Sequence, residues 1–144
     1  MLERILFTLS QLRLKKSRLK AFYKNTNNKI PSVLDLPMDF CTKKNIEILV
    51  LDFDGVLASH GETKPEARIH VWLEKLVKSK SVKKICILSN KPSLSRAEFF
   101  KDHFPEFVWV SGVRKKPYPD GLLKIIQDEK IDPKLVCLID DRLL

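Results

Sequence analysis

Two aspartates separated by one residue, Asp52 and Asp54, are the part of this sequence best suited to chemistry. They follow an apolar run at 46–51 that is typical of a buried β-strand. Side chains two residues apart on an extended backbone point the same way. Two neighbouring carboxylates repel each other unless a proton or a cation lies between them. Because open α/β sheets bind ligands at the carboxyl ends of their strands, we expect this pair to hold Mg²⁺ beside a phosphate group.

Other polar residues follow the later apolar runs of the sequence. They are Ser89 and Asn90, then Lys115 and Lys116, and finally Asp140 and Asp141. An acid pair, a hydroxyl, a lysine and a second acid pair suit phosphoryl transfer. A carboxylate can attack phosphorus and form an aspartyl-phosphate, while Mg²⁺ and a lysine neutralise the charge. A second acid can protonate the leaving oxygen and later activate water, and a serine hydroxyl can hold a phosphoryl oxygen.

The elements that must position these groups alternate along the chain. Apolar runs predict strands at 46–52, 84–88, 107–110 and 135–139, and helical periodicity predicts helices at 65–79, 94–102 and 119–130. Strands that alternate with helices are typical of parallel βαβ units. The sequence therefore predicts a Rossmann-like α/β fold, with three α/β/α layers and a parallel sheet whose strand ends converge on one crevice.

The four polar segments resemble, in order, the four motifs of the haloacid dehalogenase (HAD) superfamily. The resemblance covers about residues 46–142 and implies a HAD-like phosphatase. By it, Asp52 is the nucleophile and Asp54 is the general acid and base. Ser89 and Asn90 bind phosphate, and Lys116 stabilises it, in preference to Lys115. A second acid at position 54 favours phosphatases over dehalogenases.

The same resemblance implies a Mg²⁺ cofactor. Asp52 and the backbone carbonyl of Asp54 would be ligands from the first strand. Asp141, with Asp140 beside it, would supply the acid from the last strand.

Within the superfamily the chain looks most similar to the YqeG-like HAD-IIIA phosphatases, which are related to the phosphatidylglycerophosphate phosphatases. The similarity lies in a proline-containing lead-in at 30–35, short stretches where a cap domain would be inserted, and the ending at 139–144. In that ending Asp140 stands where glycine is usual. The resemblance implies a capless enzyme with an open site. Because a doubly wound sheet normally continues with another helix and strand after a strand such as that predicted at 135–139, we expect a core truncated at its C-terminus.

The basic charge of the chain lies at its N-terminus. Residues 1–30 contain eight Lys or Arg and one acidic residue, whereas the core at 31–144 is nearly neutral. Residues 1–24 are predicted to form a helix, and its apolar side chains at helical spacing are Leu2, Ile5, Leu6, Leu9 and Leu12. This arm suits an anionic membrane surface. The alternatives are a solvated tail, a nucleic-acid contact or an organellar presequence.

Composition narrows the class of protein. With 44% hydrophobic and 31% charged residues, the sequence is neither disordered nor an integral membrane protein. Its three cysteines show no metal-ligand spacing and suit a reducing compartment, the cytoplasm at the inner membrane face or, as an alternative, the mitochondrion. His60, His70 and His103 are predicted to be surface or helix-face residues. The predicted partner is a phosphorylated substrate, in first place a phospholipid headgroup.

Two other functions stay open at this point. One is a HAD phosphatase for a phosphoprotein, a nucleic-acid end or a soluble metabolite. The other is a non-catalytic module that uses the HAD fold for binding.

Overall fold

A computed structural model describes residues 2–142, apart from the side chains of Leu2, Leu12 and Asn27. The sheet consists of β1 (Ile48–Leu51), β2 (Lys84–Ile87), β3 (Val108–Trp109) and β4 (Val136–Ile139). All neighbouring strands are parallel, in the order β3-β2-β1-β4. Each strand has helices or loops on both sides, which accounts for the continuous apolar runs that predicted them.

Within residues 2–142 the helices also follow the predicted alternation. They are α1 (Leu2–Lys24), α2 (Phe40–Lys43), α3 (Ala67–Ser79), α4 (Leu94–His103) and α5 (Asp120–Glu129). Short 3₁₀ turns lie at Thr26–Asn28, Val33–Asp35 and Pro133–Leu135. The Ser93 hydroxyl caps α4 by accepting a hydrogen bond from the backbone N–H of Arg96, at 3.3 Å.

The two faces of the sheet are covered by different helices, which makes the three-layer α/β/α fold that the sequence predicts. Leu49 and Leu51 of β1 pack with α3 and α4 on one face. Ile48 and Val50 pack with α5 on the other face. This alternation follows from the two-residue period of a strand.

Strand order reverses at β1. The chain proceeds from β1 to β2 and β3 on one side, and then crosses to place β4 on the other side. Leu51 at the end of β1 is in register with both Ile87 of β2 and Ile139 of β4. The loops after these three strands therefore begin at one level, at the switch point where open α/β sheets bind ligands.

Helix α1 matches the helix predicted over residues 1–24. Its side chains Ile5, Leu6 and Leu9 are each about half exposed, while the predicted apolar neighbours Leu2 and Leu12 lie outside the described side chains. Among the helices within residues 2–142, none combines the length and the hydropathy needed to cross a membrane.

Candidate active site

Asp52 lies at the end of β1 and is 6% exposed. Its Oδ1 accepts a hydrogen bond from the backbone N–H of Phe53 at 2.7 Å, and its Oδ2 lies 3.0 Å from the Nζ of Lys116. Burial raises the pKa of the Asp52 carboxyl above its usual range, and the Lys116 ammonium opposes that rise. Among the described residues, Lys116 is thus the cation paired with this buried carboxylate.

Three carboxylates meet beside this lysine. Asp52, Asp140 and Asp141 each place an oxygen within 4.8 Å of the others. Gly55 allows this approach, because it has a φ of +81° and a Cβ at this position would overlap the Asp141 carboxylate. Lys116 also pairs with Asp140. A compact set of carboxylate oxygens fits a divalent metal ion that prefers hard oxygen ligands.

Asn90 holds the backbone of Lys116. Its amide group donates a hydrogen bond to the Lys116 carbonyl at 3.2 Å and accepts one from the Lys116 N–H. Both polar atoms of a side chain predicted to bind phosphate are therefore engaged in positioning the lysine. Ser89, also predicted to bind phosphate, is buried; its hydroxyl accepts a hydrogen bond from the Lys91 N–H at 3.1 Å.

Asp54 has a different partner, Arg96 from α4. The Arg96 guanidinium donates to both carboxylate oxygens of Asp54, at 2.9 and 3.0 Å, and stacks 4.1 Å from the centre of the Phe53 ring. Arg96 is 3% exposed. The hydrogen bonds from Arg96 hold the pKa of the Asp54 carboxyl below its usual range. The Asp54 side chain therefore belongs to an ion pair and is not one of the three clustered carboxylates.

Arg96 is a functional candidate that sequence reasoning missed. It also donates hydrogen bonds to the carbonyls of Glu62 and Lys91, so it ties two loops to Asp54. The sequence pattern that could have identified Arg96 is its helical spacing. Arg96 and the buried Phe100 are four residues apart on the inward face of α4. A charged residue at such a position needs a buried partner.

His60, predicted to be a surface or helix-face residue, is exposed and lies at the edge of the site. Its Nε2 lies 3.6 Å from Asp141 and its Nδ1 lies 4.0 Å from Asp54, although the side chain is half exposed. The adjoining backbone N–H of Gly61 donates to Asp54 at 3.3 Å. The loop after β1 thus reaches over both aspartates of the first motif.

These groups line a cavity of about 240 Å³. Its acidic lining residues are Asp52, Asp54, Asp140 and Asp141, and its cationic ones are Arg4, Lys91, Lys116 and Arg142. Part of the wall is formed by Pro117, Tyr118 and Pro119. The cavity has a polar end at the strand termini and a wall that includes helix α1.

Fold and site together define an α/β protein with a carboxylate and lysine site at the switch point of a parallel sheet. No protein-family model and no curated protein matches the chain. Two solved structures are similar to it. One is a hypothetical protein from Xanthomonas campestris, at 20% identity and a TM-score of 0.54, covering 80% of this chain and 66% of that one.

The other is a putative 3-deoxy-D-manno-octulosonate 8-phosphate phosphatase from Vibrio cholerae, at 19% identity and a TM-score of 0.54. That match covers 74% of this chain and 61% of the neighbour, so the chain spans less than two thirds of the length of either structure. At these identities the likeness establishes the fold. It supports the parallel α/β fold predicted from the sequence and leaves the activity to be argued from the site.

Proposed function

We propose that this chain is a Mg²⁺-dependent phosphomonoester hydrolase that forms an aspartyl-phosphate on Asp52. The observation that carries the proposal is the buried Asp52 carboxylate, with Lys116 at 3.0 Å and two further carboxylates gathered beside it. A nucleophile that attacks a phosphate dianion needs positive charge at the same place. Lys116 supplies one such charge, and a metal held by Asp52, Asp140 and Asp141, with the Asp54 carbonyl, would supply the rest.

In the first step an Asp52 oxygen forms a bond to phosphorus while the bond from phosphorus to the substrate oxygen breaks. Lys116 stabilises the charge on the transferred group. In the second step water attacks the phosphorus of the aspartyl-phosphate, and inorganic phosphate leaves. The Asp54 carboxylate is our candidate to accept the proton of that water, which requires it to exchange one hydrogen bond from Arg96 for one from the water. Once protonated, it would deliver the proton to the leaving oxygen of the next substrate.

Within this activity, the substrate proposed first is phosphatidylglycerophosphate at a membrane surface. Helix α1 supports it, because Ile5, Leu6 and Leu9 are exposed on a helix rich in lysine and arginine. Each basic residue near an anionic bilayer contributes roughly 1 kcal/mol of binding. The catalytic step itself does not require the lipid, so the two parts of the proposal are tested separately.

The catalytic part is tested by phosphate release from 4-nitrophenyl phosphate with and without Mg²⁺. We expect Asp52→Asn to lower kcat/KM by about three orders of magnitude, or roughly 4 kcal/mol of transition-state stabilisation. Asp39→Asn is the matched control, since Asp39 is exposed and pairs with Lys43 on α2. Activity that persists in Asp52→Asn, or that is the same with and without Mg²⁺, would contradict the proposal.

The lipid part is tested by sedimentation with vesicles that contain phosphatidylglycerol. The triple variant Arg13→Gln/Lys16→Gln/Lys20→Gln changes only exposed residues of α1. We expect it to weaken vesicle binding about 100-fold and to slow hydrolysis of phosphatidylglycerophosphate in vesicles while sparing 4-nitrophenyl phosphate. Equal effects on both substrates would rule out the membrane role. Unchanged vesicle binding would point to one of the other phosphorylated substrate classes.

A further inference from the structure

We propose that Arg4 binds a second anionic group on the substrate, so that the first turn of α1 forms part of the substrate site. The inference rests on the proposed phosphatase function and narrows its substrate class. It concerns a residue outside the four motifs, on a helix that the sequence assigns to membrane contact. The argument depends on how α1 meets the cavity and on which cations there lack carboxylate partners.

Helix α1 is docked on the loop that carries Lys116. The ring centroids of Phe7 and Tyr118 lie 4.5 Å apart, and the Arg114 guanidinium lies 4.2 Å from the centre of the Tyr118 ring. Residues three apart on a helix share a face, so the contact made by Phe7 also directs Arg4 to the cavity, whose wall it lines. The side chain of Arg4 is half-buried there.

The cations that line the cavity differ in their carboxylate partners. Lys116 pairs with Asp52 and Asp140, and the Asp54 carboxylate is held by Arg96. Arg142 lies 3.7 Å from Asp141. Within residues 2–142, by contrast, neither Arg4 nor Lys91 has a carboxylate within 4.0 Å. Lys91 adjoins Ser89 at the end of β2, whereas Arg4 reaches the cavity from α1. The cavity therefore presents a guanidinium without a matching acid.

Such a guanidinium suits an anion that enters with the substrate. Arginine binds carboxylates and phosphates through two parallel hydrogen bonds, and partial burial strengthens that attraction. The reacting phosphate already has Lys116 beside Asp52, whereas Arg4 lines the cavity from α1, the helix whose Phe7 packs on Tyr118. The substrate class is thus a phosphomonoester that carries a carboxylate or a phosphodiester elsewhere in the molecule.

The experiment compares two matched pairs of substrates. For the carboxylate, phenyl phosphate is compared with 4-carboxyphenyl phosphate. For the phosphodiester, 3-hydroxypropyl phosphate is compared with the same molecule carrying a methyl phosphodiester on its free hydroxyl. Each pair is measured with wild type, Arg4→Gln and Arg18→Gln. Arg18 is the matched control because it is an exposed arginine on the same helix and does not line the cavity.

We expect the wild type to prefer at least one anionic member about tenfold in kcat/KM, and the pair that shows this preference identifies the anion. Arg4→Gln should abolish the preference mainly by raising KM, and Arg18→Gln should retain it. Equal losses on both members of a pair would assign Arg4 a structural role and overturn the inference. A preference that survives in Arg4→Gln would overturn it as well.

Failure of the phosphatase proposal is distinguished by measuring binding instead of turnover. Calorimetric titration of the same pairs into Asp52→Asn, with and without Arg4→Gln, gives dissociation constants that need no catalysis. If wild type hydrolyses none of the substrates, a tenfold tighter binding of an anionic member that depends on Arg4 still supports the second-anion site. Equal binding of both members would overturn it.

Discussion

Asp52 and Asp54 are the same residue type, two positions apart and buried to a similar degree, at 6% and 7% exposure. Their surroundings differ. Asp52 faces Lys116 and two other carboxylates, and its burial raises its pKa. Asp54 is held through both oxygens by Arg96, and its pKa is lowered. One carboxylate is thus left open to a metal and a phosphate, while the other is fixed in a buried ion pair.

The difference comes from elements far apart in the chain. The partners of Asp52 come from the loop before α5 and from the end of β4, whereas the partner of Asp54 comes from α4. The spacing of two residues brings the carboxylates to one place. Tertiary packing then assigns each a separate chemical role, as is usual where neighbouring acids differ in pKa.

The largest expected effect tests the Asp52 side of the comparison. Replacing Lys116 with Gln should lower kcat by roughly 10²–10³-fold, because a preorganised charge at the transferred phosphoryl group is lost. It should also raise the pKa of Asp52 further. Since the nucleophile must be ionised, the acid limb of the rate profile should move to higher pH.

The measurement is a pH profile of kcat/KM for 4-nitrophenyl phosphate. Lys115→Gln is the matched control, because Lys115 is exposed and adjacent. A larger loss of kcat/KM in Lys115→Gln than in Lys116→Gln would show that Lys115, and not Lys116, stabilises the transferred phosphoryl group.

The next effect tests the Asp54 side. Arg96→Met leaves a buried carboxylate without its partner and should lower the free energy of unfolding by about 3 kcal/mol. The double variant Asp54→Asn/Arg96→Met should recover part of that loss, since no charge is left unpaired. Urea unfolding measures the wild type and both variants. Lys43→Met is a control at an exposed pair, where the change should stay within about 0.5 kcal/mol.

The stability that the ion pair between Asp54 and Arg96 contributes depends on pH. An acid whose pKa is lowered by folding contributes stability above its unfolded pKa, about 3.9, and loses it as the pH falls through the folded value. The stability gap between wild type and Arg96→Met should therefore shrink below about pH 4. A gap that is constant down to pH 2 would mean that Asp54 and Arg96 do not interact as the structure shows.

The smallest predicted effect is an increase in the free energy of unfolding, where the preceding substitution lowers it. Because folding raises the pKa of Asp52, its charge at neutral pH opposes folding. Without metal, Asp52→Asn should therefore increase the free energy of unfolding at pH 7, by less than about 1 kcal/mol, while Asp54→Asn should decrease it. Thermal unfolding in the presence of a chelator measures both. Destabilisation by both substitutions alike would remove the contrast between the two aspartates.

Much of the fold follows from local patterns in the sequence. The apolar runs and helical periodicity predict every strand and the helices between them, because burial on both faces of a parallel sheet dictates those patterns. The same logic anticipates that Asp52, Asp140 and Asp141 lie together. Parallel strands end at one edge, so residues after those strands meet there.

The remaining features depend on contacts between distant segments. Arg96 appears in the sequence as an ordinary helical arginine, and only the packing of α4 against the loop after β1 brings it to Asp54. The use of Asn90 by the Lys116 backbone depends on loop conformation. The contact of Phe7 with Tyr118 joins segments more than a hundred residues apart. No local periodicity encodes such pairings.

The most direct test of the account is to identify the residue that carries the phosphoryl group. The protein is quenched with acid during turnover of 4-nitrophenyl phosphate, treated with borohydride and digested for mass spectrometry. Reduction of an aspartyl-phosphate yields homoserine at the modified position. The account predicts homoserine at position 52 and unmodified aspartate at position 54. Homoserine at position 54, or rapid phosphate release with neither residue modified, would contradict it.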